Sequence, residues 1–177
     1  MNWSLIIEQT CLVRVSAEPL HVLVNRVGIS VESYAYNHSP GWISSLLAGH
    51  NGNGLMRGED MSLAEEGWMH VIHCGLPGMP YRYIEQDMWR WCQPATFRQA
   101  LYFIALEREG KINFNGDPKE PRYFNIQGTV VGSRIRKAFP VIDVHPSSDF
   151  RTMTLVYAGG GVLSHYERFL AWQPVVA

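Results

Sequence analysis

The stretch RYFNIQGTVVGSRIRKAFPVIDVHPSSDFRTMTLVYAGGGVLSHYERFLAW, residues 122–172, decides the fold. Its β-branched and aromatic residues fall in short runs divided by turn signals, so Tyr123 to Val131, Ile135 to Val144 and Phe150 to Ala158 read as three strands. Gly132-Ser133, Pro146-Ser147-Ser148 and Gly159-Gly160-Gly161 close them. Loops this short force antiparallel neighbours, because a parallel return needs a crossover of about a dozen residues or more. An antiparallel meander is therefore expected. Beyond the triple glycine, residues 162–172 fit a helix through Val162, Leu163, Tyr166, Phe169 and Leu170, and fit a fourth strand equally well.

Upstream of the meander the pattern turns helical. Thr96-Phe97-Arg98-Gln99 has the form of a capping box, and the apolar residues Phe97, Leu101, Ile104 and Leu106 follow it before Gly110. Ser62-Leu63-Ala64-Glu65 repeats that form and predicts a helix running to Cys74, where Gly75 and Pro77 would stop it; Gly67 counts against this helix. A third, short helix is expected from Ser39-Pro40 to Gly49, with Ile43, Leu46 and Leu47 on one face. Nearer the start, Cys11 to Val15, His21 to Val24 and Gly28 to Val31 alternate enough to predict two or three strands around a Glu18-Pro19 turn. Gly49 to Gly54 holds two Asn-Gly steps and reads as a surface loop. The expected fold is α+β: a single domain, 1–177, with a mainly antiparallel sheet and about three helices from the central region on one face.

Composition bounds the partners. Hydrophobic residues make up 46% of the 177 and charged residues 18%, which excludes disorder. The net charge of −1 divides unevenly: residues 1–120 carry −4 and residues 121–177 carry +3. That excess is smaller than proteins held on phosphate contacts usually show, so it admits a nucleic-acid partner without requiring one. Cys11, Cys74 and Cys92 have no paired spacing, which points to a reducing compartment and a cytoplasmic location. The start, MNWSLIIEQTCLVRV, lacks a basic region before its apolar residues and reads as neither signal peptide nor membrane span.

Four groups of residues could carry function. On the expected helix, His70 and Cys74 would share a face with His73 beside them, the spacing of a zinc site; no second ligand pair supports it, and no cofactor is expected. His145, His165, Lys137 and Tyr166 in the basic sheet form the residue kit of a metal-independent nuclease or phosphodiesterase, with histidine to move protons and lysine to hold phosphate. Arg134, Arg136 and Lys137 form a basic run, which is either a charged edge that discourages strand pairing or a contact for an acidic partner. Tyr81, Tyr83, Trp89 and Trp91 surround acidic residues and would suit a protein-binding surface if exposed, or a core if buried. No nucleophile elbow or phosphate loop is present. The leading expectation is a non-enzymatic protein that binds, and regulates or inhibits, a protein partner. The rivals are the nuclease and an RNA- or DNA-binding module without chemistry.

Overall fold

The computed structural model describes residues 5–29, 46–47, 55–57, 65–74, 88–90, 92–117, 119–132, 137–145, 151–157 and 163–176. The fold is α+β; among the described residues nine strands form one mixed sheet, and helices 20–27 and 97–108 pack on one of its faces. The elements are β1 (Leu5–Val15), α1 (Leu20–Val27), β2 (Leu55–Arg57), β3 (Glu65–Cys74), β4 (Gln93–Pro94), α2 (Phe97–Arg108), β5 (Arg122–Asn125), β6 (Val130–Gly132), β7 (Lys137–Val144), β8 (Arg151–Tyr157) and β9 (Glu167–Pro174). The sheet runs β1-β3-β9-β5-β7-β8, with β4 following β5 along the edge of β9, and β6 following β5 along the edge of β7 and carrying β2. Every pair is antiparallel except β5 with β9.

The meander is present in altered form. β7 pairs with β8 on one side and with both β5 and β6 on the other. Tyr123 to Val131 is thus one strand interrupted at 126–129. The cause of the break is the chain entering α2: Gly128 N donates to the Ala95 carbonyl at 3.0 Å, and Phe97 N donates to Thr129 Oγ1 at 2.8 Å. Residues 162–172 resolve as strand β9 from Glu167 onward. This strand does not return against β8; it lies between β3 and β5, near the middle of the sheet.

Two segments differ from expectation. Glu65 to Cys74 is a strand and not a helix. Its alternate residues Met69 and Val71 join the core under the helices while Ile72 joins the opposite face, a period-2 pattern. Gly67 fits this reading, because a Cβ there would lie 2.5 Å from Cε2 of the buried Trp172 ring. His21 to Val24 lies in a helix and not a strand. Over eight residues the buried positions are Leu20, Leu23, Val24 and Val27, a 3.6 period that a four-residue window hides, and Gly28 ends the helix at φ 77°. Of the other expected pieces, Ile29 forms an isolated parallel bridge to Arg151, and Leu46 and Leu47 are helical. The rest of 30–45, the loop 51–54 and the cap at 62 lie outside the described residues.

α2 begins as read: Thr96 Oγ1 accepts from Gln99 N at 3.3 Å and Gln99 Oε1 accepts from Thr96 N at 2.8 Å. Phe97, Leu101 and Ile104 are buried with α1 and with Val13, Val71, Phe124, Ile142 and Met153 of the sheet. The opposite face has a smaller core of Ile72, Phe139, Val141, Phe169 and Ala171, covered by Met88 and Leu163. Buried arginines fasten the helices: Arg151 donates to Glu107 at 2.5 Å and to the Val27 carbonyl at 3.3 Å, and Arg98 donates to the Ser16 carbonyl at 3.1 Å. Among the described residues no helix is long and apolar enough to cross a membrane.

Candidate functional site

The change from helix to strand takes the expected metal ligands apart. On a strand, residues three apart point to opposite faces. His70 faces away from the helices, with Nδ1 2.9 Å from Thr10 Oγ1 and Nε2 3.2 Å from Gln173 Oε1. His73 faces the helix side beside Glu8. Cys74 stands four residues beyond His70, roughly 13 Å along the strand. Among the described residues no three His, Cys, Asp or Glu side chains converge as a metal site would require.

One end of the sheet gathers titratable groups on both faces. On the helix side, Glu8 holds Arg168 Nε at 2.6 Å with one oxygen, and its other oxygen lies 3.6 Å from His73 Nδ1. The His165 ring stands edge-on to His73 with centroids 5.5 Å apart. Burial, then the charge of Arg168, holds the His73 imidazole below its ordinary pKa, against the pull of Glu8. On the other side, Tyr123 stands between Asp143 and Glu167 across the β5–β7 and β5–β9 pairs. Burial raises the pKa of Asp143, against nearby His145, whose Nε2 is 3.8 Å from Asp143 Oδ2. Tyr123 is raised by burial and then by Asp143 and Glu167.

His145, His165 and Tyr166 therefore lie at the same end of the sheet. Lys137 does not join them. It starts β7 and His145 follows its end, so the two are about 26 Å apart along the strand. The arginines nearest the histidines are already engaged: Arg168 with Glu8 and with the His165 carbonyl, Arg122 with the carbonyls of Asn115 and Asp117. An imidazole beside a carboxyl can move a proton, but the phosphate-holding lysine of the nuclease constellation is not brought to it. Arg134 and Arg136 lie outside the described residues, as do Tyr81, Tyr83 and Trp91. Trp89 is partly buried, donates to Gln127 Oε1 at 3.1 Å and packs on the smaller core.

A different surface stands out along β1. β1 is the terminal strand, and among the described residues it pairs with β3 alone. Its register with β3 slips at Glu8, so that Ile7 faces Ile72 and Leu12 faces Trp68. Five residues apart, Ile7 and Leu12 would point to opposite faces of a regular strand. The bulge at Glu8 turns them to the same face. There Leu12 (40% exposed) and Trp68 (41%) form an exposed apolar pair, and Ile7 (48%) lies on the same face about 13 Å along the strand, beyond Thr10 and His70. Along the same edge a cleft of about 400 Å³ is lined by Leu12 and Arg14 of β1 and by Arg26, Tyr102, Leu106 and Lys111. Sequence reading missed this surface because the odd spacing conceals it; the polar pair Glu8-Gln9 inside an apolar run is its only trace.

No protein-family model, no curated protein and no solved structure matches this chain. The functional argument therefore rests on geometry.

Proposed function

We propose that this chain is a non-enzymatic recognition protein, working in a reducing compartment such as the cytoplasm, whose partner is a protein that docks on the β1–β3 edge. The observation that carries the reading is the exposed Leu12–Trp68 pair, with Ile7 farther along the same face of the terminal strand pair. Single exposed apolar residues are ordinary on any protein. Leu12 and Trp68, directly opposed on neighbouring strands beside a strand edge with backbone groups to offer, with Ile7 farther along the same face, match the way strand addition binds a partner. The nuclease reading draws less support, since Lys137 lies far from His145. A nucleic-acid contact draws less again, with Arg122, Arg151 and Arg168 committed to internal bonds.

A photoreactive side chain placed at Leu12 and, as control, at the exposed Lys119 tests the reading in the source cells. The expected result is a discrete protein adduct from position 12 and none from 119. Equal labelling at both positions, or none at 12, contradicts it. Labelled RNA and DNA incubated with pure protein in chelator should stay intact; cleavage would restore the nuclease.

A further inference from the structure

We propose that the partner seated on this edge is a second copy of the chain, joined through β1 in an antiparallel two-fold pair with Thr10 opposite Thr10. The inference rests on the edge-docking reading above and names its occupant. The argument comes from the bulge. In this register Leu5 meets Arg14 of the second copy, Ile6 meets Val13, Ile7 meets Leu12, Gln9 meets Cys11 and Thr10 meets Thr10, and the other half repeats these by symmetry.

Every such pair joins residues on the same face. Ile7, Thr10 and Leu12 lie opposite Ile72, His70 and Trp68 of β3, on the face away from the helices; Gln9 and Cys11 lie opposite Val71 and Met69, on the helix face. A bulge normally spoils an edge for pairing, since it breaks the ladder on one strand only. Here the two bulges fall symmetrically about the axis, each opposite the gap between the partner's Cys11 and Leu12, so neither side slips relative to the other. The carbonyl of the bulged Glu8, which this ladder leaves out, is already satisfied by Asn115 Nδ2 at 2.7 Å.

Charge agrees with self-pairing. Edge strands usually defend themselves with unpaired lysine or with proline. Between Leu5 and Val13 the one charged residue is Glu8, which is held by Arg168, and Arg14 beyond is held by Glu66. No like charges face each other across the axis. The pairing places each Ile7 against the other copy's Leu12 beside Trp68, making two apolar clusters, one on each side of the Thr10–Thr10 pair.

The test uses the full chain. Sedimentation should give a dimer mass, and Leu12→Glu, its fold confirmed by circular dichroism, should weaken association by roughly tenfold or more, because each copy would carry a carboxylate into an apolar seam. In Thr10→Cys with Cys11→Ser, mild oxidation should link the two chains through residue 10, since directly opposed residues have Cα atoms about 4.5–5.5 Å apart, within disulfide range. Val22→Cys on α1 should not link. A monomer at every accessible concentration, or a dimer that ignores Leu12→Glu and leaves Thr10→Cys unlinked, overturns the proposal. If position 12 still labels a different protein, edge docking stands and only the second copy is lost; if it labels nothing, both fail.

Discussion

Replacing Gly128 with alanine probes the point where sheet and helix are joined. A Cβ at this position would overlap the carbonyl of Ala95 and lie 2.5 Å from the Pro94 carbonyl oxygen. Both obstacles are backbone held in place by β4, whose Pro94 pairs with Ala171 and whose neighbour Ala95 donates to the Leu170 carbonyl at 2.9 Å. Neither can swing aside as a side chain would. Overpacking of this kind costs about 1–3 kcal/mol. Any shift that relieves it also stretches the Gly128–Ala95 hydrogen bond and the Thr129 contact to Phe97 N, for about 1 kcal/mol more. The expected loss is therefore about 2–4 kcal/mol. For a chain of this size that corresponds to a fall in Tm of about 5–15 °C. Urea melts followed by tryptophan fluorescence would measure it. A change under about 0.5 kcal/mol, the range of surface substitutions, would refute the account of why the strand from Tyr123 breaks.

Other expectations follow from the same packing. Leu101→Ala, fully buried on α2, should cost about 2–5 kcal/mol in denaturant melts, and a loss under about 1 kcal/mol would mean its face is misassigned. His73 should make stability pH-dependent. Its folded pKa lies below the ordinary 6.5, so protons bind the unfolded chain more tightly, and stability present above that value should fall as pH drops through it. Urea midpoints in His73→Gln should fall less between neutral and mildly acid pH than in the parent; equal slopes would remove His73 from the effect. Cys11 and Cys92, pushed by burial up to about 11 from 9.0, should alkylate at neutral pH roughly a hundredfold more slowly than a free thiol, which mass spectrometry of labelled peptides would show.

Legibility in the sequence followed the range of the interactions. The Thr96–Gln99 box and the helix it opens are set within a few residues, and they appear as read. The strands of the meander were also legible, but the placement of β9 between β3 and β5 depends on contacts about a hundred residues distant in the case of Ile72 and Phe169, which no local pattern carries. The two misread segments share one cause. Four alternating residues at His21 and a capping-box form at Ser62 are short signals, and the longer ones, Leu20-Leu23-Val24-Val27 and the strand-like Trp68 to Ile72, decide the outcome through burial. At the candidate site, parity assumed a regular strand. One extra residue at Glu8 inverts it in β1 and puts Ile7 and Leu12 on the same face, while His70 and His73, three apart on the unbulged β3, point to opposite faces.

The most direct measurement is hydrogen exchange of the peptide Leu5 to Val15. Those β1 amides that point away from β3 have no described partner and should exchange fast in dilute protein. If the edge is a docking surface, their exchange should slow by about tenfold or more as protein concentration rises or as the isolated partner is added, while α2 amides stay unchanged. Identical β1 exchange under all of these conditions would contradict the account.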